Sequence, residues 1–196
     1  MKPKSIHLES YIRSIPDWPK KGILFRDITP LLADPKAFAA AVDALCTGFT
    51  KADVDYVAAV EARGFIFGAA VARKLNAGFV PIRKKGKLPF ETESITYDLE
   101  YGTDTLQVHS DAVEKGSLVG ATCCDSATAR RERPAVARKV LMVDDLLATG
   151  GTMAAACKLI EKIGGQIVAI SFLIELTELA GRDKLSKYNI KTVISY

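Results

Sequence analysis

The segment Val140-Leu141-Met142-Val143-Asp144-Asp145-Leu146-Leu147-Ala148-Thr149-Gly150-Gly151-Thr152 sets an apolar run, two adjacent carboxylates and a turn of small residues in direct succession. Each part has a chemical use. Where a turn opens a helix, free backbone N–H groups and the positive end of the helix dipole favour a phosphate, and Ala148, Gly150 and Gly151 let the backbone come close to it. Thr149 and Thr152 can add hydroxyl donors. Asp144 and Asp145 would repel a phosphate, but carboxylates accept hydrogen bonds from a sugar diol and can engage Mg2+. Phosphate on one side and diol on the other describe a ribose 5-phosphate. The run is not a P-loop, because the Gly-Lys-Ser/Thr ending is missing, and it lacks the GxGxxG spacing of a dinucleotide fold. An ordinary strand-to-helix turn with an acidic cap would need one acid and one glycine, and this run holds far more.

The elements that must position this run are legible as alternating strands and helices. Asp34-Pro35, then Phe38, Val42, Leu45 and Phe49, give an N-cap, a first-turn proline and apolar residues at helical spacing. Val54 to Val60 reads as a strand, Phe65 to Asn76 as a helix and Gly78 to Ile82 as a second strand. The alternation resumes with the strand Val140 to Val143, a helix from Met153 to Ile163 closed by Gly164-Gly165, and the apolar run Ile167 to Ile174. Unbroken apolar strands of this kind predict an α/β fold, a mostly parallel twisted sheet covered by helices on both faces. Between the halves, Arg83 to Tyr101 is polar and rich in charge, glycine and proline, while Leu106 and Val108 alternate with polar residues; this predicts a mobile loop flanked by half-exposed strands. No repeat or low-complexity tract divides the chain.

With 196 residues, 48% of them hydrophobic, the chain suits one well-buried core and is expected to form a single domain. The 27 basic and 23 acidic residues leave a net charge of +4, too small for a protein whose main task is to coat nucleic acid and better suited to a small anionic ligand. The N-terminus has no apolar leader core and no stretch approaches a membrane span, so a soluble, cytoplasmic protein is expected. Cys46, Cys123, Cys124 and Cys157 lack CxxC spacing, which argues against a disulfide framework or a zinc site, and Cys46 and Cys157 read as small core residues. His7 and His109 have no partner pattern and take no role.

The Val140 to Thr152 run resembles the PRPP-binding signature of the type I phosphoribosyltransferases, where PRPP is 5-phosphoribosyl-1-pyrophosphate. Three further segments extend the resemblance to the adenine-specific branch of that family over nearly the whole chain. Gly22 to Leu32 is similar to its adenine-recognition segment, Glu61-Ala62-Arg63-Gly64-Phe65-Ile66-Phe67-Gly68 to its pyrophosphate loop, and Arg83 to Pro89 with Tyr97 to Asp104 to its flexible catalytic loop. The resemblance implies transfer of the phosphoribosyl group to adenine, giving AMP and pyrophosphate, with Mg2+ held mainly by PRPP and no dedicated protein metal cage. It implies a homodimer, a small hood over about residues 1–33 and a catalytic loop over about 83–103. In those roles Phe25 can stack on a purine while backbone groups from Leu24 to Arg26 read its edge. Glu61, Ala62, Arg63 and Gly64 would meet pyrophosphate, with the Arg63 guanidinium as a bidentate partner. The implied peptide near Glu61-Ala62 is strained, a cis bond being one form it can take. Arg83, Lys84 and Lys87 would neutralise the leaving group as a lid, and Glu100 would manage the adenine proton.

One stretch departs from the family pattern. After Gly116 the family passes within a few residues into the PRPP strand, whereas here residues 117–137 intervene, with Cys123-Cys124, Arg130, Arg131 and Arg133. Adjacent cysteines are poor joint ligands and three arginines fall short of a nucleic-acid surface, so an exposed excursion is expected. Two other functions are compatible with parts of this pattern. An enzyme of the same fold acting on hypoxanthine or guanine is disfavoured by Phe25-Arg26-Asp27 and Glu100. A nucleic-acid-binding regulator that keeps the PRPP site would need a basic face or an added module.

Overall fold

The structure is a computed structural model and describes residues 6–99, 102–113 and 137–196. Near the N-terminus, β1 (Arg13–Ile15) and β2 (Phe25–Asp27) pair antiparallel as a small separate sheet. The helices α1 (Thr29–Ala33) and α2 (Pro35–Leu45) follow, and Asp34 caps α2 by accepting hydrogen bonds from the Lys36 and Ala37 amides. The main body comprises β3 (Tyr56–Val60), α3 (Arg63–Leu75), β4 (Gly78–Lys84), β5 (Thr92–Leu99), β6 (Gly102–His109), β7 (Arg138–Leu147), α4 (Gly151–Lys162), β8 (Gly165–Glu175) and β9 (Ile190–Ser195).

The seven strands from β3 to β9 form one sheet in the order β5-β6-β4-β3-β7-β8-β9. Pairings among β4, β3, β7, β8 and β9 are parallel, and β6 joins β4 and β5 antiparallel. Successive residues of β7 serve opposite faces, as strand geometry requires. Leu141 and Val143 pack with α2 and α3 through Leu45, Phe67 and Val71, while Val140 and Met142 pack with α4 through Ala156, Leu159 and Ile160. Because both faces are covered, the middle stretches of the central strands, residues 57–60, 140–143 and 167–170, are apolar on both sides, as the sequence predicts.

The topology fixes where a ligand can sit. From β3 the chain crosses through α3 to β4 on one side; from β7 it crosses through α4 to β8 on the other. The crevice outside the carboxyl ends of β3 and β7 is therefore a topological switch point, the usual ligand position in such sheets.

Two expectations need revision. The stretch Arg83 to Tyr101, expected as a loop, contains the eight-residue strand β5, paired with β6 from Thr92 opposite His109 to Leu99 opposite Gly102. Its inward positions Ile95 and Tyr97 alternate with polar residues, but the charge around them masked that period. The motif strand is also longer than Val140 to Val143: β7 runs on through both aspartates to Leu147. Residues 100, 101 and 114–136 lie outside the described residues, and with them Glu100 and the segment 117–137 apart from Ala137.

Candidate active site

The switch-point crevice is a cleft of about 240 Å3 lined by both predicted loops: Glu61, Ala62, Arg63 and Gly64 after β3, and Asp144 through Met153 around the end of β7, with Phe172 at its base. The Glu61-Ala62 peptide is cis. Gly64 is required by close approach, since a Cβ there would lie 2.6 Å from Asp144 Oδ1. The two loops are joined electrostatically: Arg63 Nε stands 3.0 Å from Asp145 Oδ2.

The acid pair sits at the head of the sheet, with Asp145 buried and Asp144 half-buried. Burial pushes the Asp144 carboxyl well above its ordinary range, and the adjacent Asp145 charge pushes the same way. Asp145 is also raised by burial, against the opposing pull of Arg63. The pair thus holds a proton more readily than ordinary aspartates. In their ionised form the two carboxylates accept hydrogen bonds, and a vicinal diol, which can donate two, is the complementary ligand.

Below the acids, Gly150 takes the left-handed conformation at φ 75° and α4 begins at Gly151 without a side-chain cap. The first-turn amides of α4 are thus left for a ligand, with the helix dipole behind them. Thr152 in that turn shares a hydrogen bond with Tyr97 Oη of β5 at 3.3 Å. Tyr97, expected within a loop, reaches this turn because β5 is a strand.

Glu61 lines the cleft, yet its carboxylate is already engaged. It accepts from Arg83 Nε and from the Lys84 amide, both at 2.8 Å. Burial raises its pKa, but these two donors outweigh burial and hold it below the ordinary glutamate value. Glu61 therefore orients Arg83 and does not itself face an anion. Lys84 Nζ lies 3.2 Å from Asp104 of β6, and the Lys87 carbonyl accepts from Arg83 Nη1 at 3.2 Å. Arg83, Lys84 and Lys87 do not line the cleft; they stand on its β4 side.

Phe25 is tied to this cleft through Arg63, whose guanidinium carbon lies 5.6 Å from the Phe25 ring centroid. Trp18 meets the same ring edge-on at 4.4 Å. Leu24 beside it is exposed. Arg26 points elsewhere: its guanidinium stacks 3.6 Å over the Tyr196 ring and donates to Ser14 Oγ. Only its backbone remains for a purine edge, as the sequence reading supposed. Val60, Leu146, Leu147, Met153 and Phe172 also line the cleft without having been expected there, and no spacing signal separates these five from core residues.

Fold, switch-point cleft and acid-rich phosphate turn together define a phosphoribosyltransferase, and the profile of the phosphoribosyl transferase domain family matches residues 32–195. The chain is 51% identical to the adenine phosphoribosyltransferase of Pseudothermotoga lettingae, covering 96% of this chain and 99% of the relative, and 48% identical to that of Brachyspira hyodysenteriae, covering 97% and 100%. Among solved structures, adenine phosphoribosyltransferase from Thermoanaerobacter pseudethanolicus superposes with a TM-score of 0.81 at 48% identity, covering 96% of this chain and 98% of that one. The Saccharomyces cerevisiae enzyme, solved with adenine and an imino-altritol bisphosphate, gives 0.80 at 34% identity, covering 95% and 96%. The chain belongs to the adenine phosphoribosyltransferase family.

Proposed function

We infer that this chain transfers the 5-phosphoribosyl group of PRPP to adenine, producing AMP and pyrophosphate. The observation that carries the reading is the cleft itself, lined by the Arg63–Asp145 pair and by the first turn of α4, which has no side-chain cap.

In the reaction the bond from the anomeric carbon to the pyrophosphate oxygen breaks and a bond to adenine N9 forms. Asp144 and Asp145 hold the ribose diol, and the turn Ala148-Thr149-Gly150-Gly151-Thr152 holds the 5-phosphate through amides and hydroxyls. Arg63, with the backbone of Ala62 and Gly64, meets the pyrophosphate; Arg83, oriented by Glu61, and the ammonium groups of Lys84 and Lys87 add positive charge as it departs. Phe25 stacks on adenine while the backbone of Leu24 to Arg26 reads its edge. Glu100 takes up the ring proton that must leave adenine as N9 bonds, a role that rests on the family resemblance of its loop.

Mg2+ suits this donor chemistry, being a hard cation that prefers oxygen ligands and usually arrives with substrate phosphates. Among the described residues no three His, Cys, Asp or Glu side chains cluster as a cage, so Asp144 and Asp145 are the carboxylates that would accompany an ion carried by PRPP. When bound, it would neutralise charge on the leaving pyrophosphate.

A single domain with an N-terminal hood, a homodimer and a cytoplasmic location complete the proposal. The single domain is supported by the chain's length and hydrophobic content, the hood, homodimer and cytoplasmic location by the family resemblance, and no helix among the described residues is long and apolar enough to cross a membrane. Incubation with PRPP, Mg2+ and a panel of adenine, hypoxanthine and guanine, followed by pyrophosphate release, tests the activity. Release with adenine alone is expected; release with another base, or with none, would refute it. Sedimentation velocity tests the dimer.

A further inference from the structure

The phosphate turn is held from behind by a segment that the mechanism does not use. Residues 176–185 follow β8 and pass under the turn through two short 3-10 turns, Thr177–Leu179 and Asp183–Leu185. The contact is backbone against backbone. A Cβ on Gly150 would come within 2.4 Å of the Gly181 carbonyl oxygen, and a Cβ on Gly181 within 2.1 Å of the Ala148 carbonyl oxygen. Neither position tolerates a side chain without moving the turn.

The segment is itself fixed at several points. The Arg182 guanidinium grips the buried Glu175 carboxylate with two bonds, Nε to Oε1 at 2.6 Å and Nη2 to Oε2 at 2.7 Å, and Nη2 also donates to Thr192 Oγ1 of β9 at 3.1 Å. The Leu176 amide donates to the Leu147 carbonyl at 2.9 Å, immediately before the turn. Leu185 is fully buried in the core shared with α4. Arg182 thus ties the segment to two strands on one side, while Gly181 abuts the turn on the other.

We propose that Gly181 and the Arg182–Glu175 pair are positioning residues for the 5-phosphate: they fix the backbone of Ala148 to Gly150 from behind, so that its amides are aimed before the ligand arrives. This rests on reading that turn as the phosphate cradle. Ligands with a 5-phosphate then depend on the brace, and ligands without one do not. Ligand-contacting groups held within fractions of an ångström need such support, and at metal sites the loss of residues that hold the ligating groups costs about 10–100-fold, which sets the scale expected here.

The test is calorimetry of AMP and of adenosine with the wild-type protein, Arg182→Lys and Gly181→Ala. Lysine keeps the charge but cannot span both carboxylate oxygens. Gly181→Ala disturbs the turn without touching the ion pair. The wild type is expected to bind AMP far more tightly than adenosine, and each folded variant to lose about tenfold in AMP affinity with adenosine unchanged. A wild type that does not prefer AMP would refute the phosphate reading of the turn. A wild type that prefers AMP, beside folded variants that keep the preference or lose both ligands equally, would refute the brace alone. Hydrogen exchange on the wild type supports the test should either variant fail to fold. AMP should slow the amides of residues 177–185 together with those of the turn, and unchanged exchange in 177–185 would overturn the proposal.

Discussion

Arg63 Nε stands 3.0 Å from Asp145 Oδ2, so the cation of one cleft loop is paired with an acid of the other. The pair spans the switch point between β3 and β7. Its charges also control the titration of the site. Arg63 pulls both aspartate pKa values down against burial, so without it both must rise.

The acid limb of the pH profile should show this. In the wild type, kcat/KM for PRPP is expected to fall on the acid side at a pH above the ordinary aspartate range, because the free pair is raised by burial. The two apparent values belong to the pair and not to either residue. In Arg63→Gln the limb should move to higher pH. A limb that stays in place or moves lower would show that Arg63 does not govern the acids.

Phe25 gives a prediction confined to the base. Stacking on an aromatic side chain is worth about 1–3 kcal/mol per base, so Phe25→Ala should raise KM for adenine roughly 5–150-fold and leave PRPP binding near the wild-type value. Trp18, the single tryptophan, touches the Phe25 ring, so its emission should change when adenine or AMP binds. Equal loss of both substrates in the variant would place Phe25 in the hood's packing and not against the base.

Glu100 is predicted to affect turnover and not affinity. General acid–base groups contribute ~10²–10⁴-fold, and Glu100→Gln should lower the single-turnover rate by about that factor with PRPP affinity nearly unchanged. A wild-type rate would remove Glu100 from the mechanism.

The central strands were legible because burial on both faces gives β7 and β8 the apolar stretches 140–143 and 167–170, and the cleft-lining turn after β7 was legible because two acids before a glycine-rich turn have few other uses. Other features were not legible. Among its described side chains, β5 packs Ile95 and Tyr97 against the core between charged neighbours and reads as a charged loop, and so the bond from Tyr97 to Thr152 was hidden with it. The role of Gly181 depends on meeting Ala148 and Gly150 across more than thirty positions of sequence, which no local pattern encodes. Arg26 shows the converse: its place in the adenine segment was legible, but its stacking on Tyr196 at the far end of the chain was not.

The Arg182–Glu175 pair carries a stability prediction of its own. The Arg182 bonds hold Glu175 below the ordinary glutamate value against burial. A depressed carboxylate contributes stability that is present above its unfolded pKa and lost as pH falls through the lower folded value. The drop in melting temperature caused by Arg182→Gln should therefore be larger at pH 7 than at pH 3. An equal drop at both would assign the loss to packing of the arginine stem.

The central claim is that Asp144 and Asp145 hold the ribose of PRPP, and titration calorimetry of PRPP into Asp144→Asn/Asp145→Asn tests it most directly. Charge-assisted hydrogen bonds are worth about 1.5–3 kcal/mol each, so the loss of two should weaken binding by more than a hundredfold while circular dichroism shows the fold preserved. A folded double variant that binds PRPP with wild-type affinity would contradict the account.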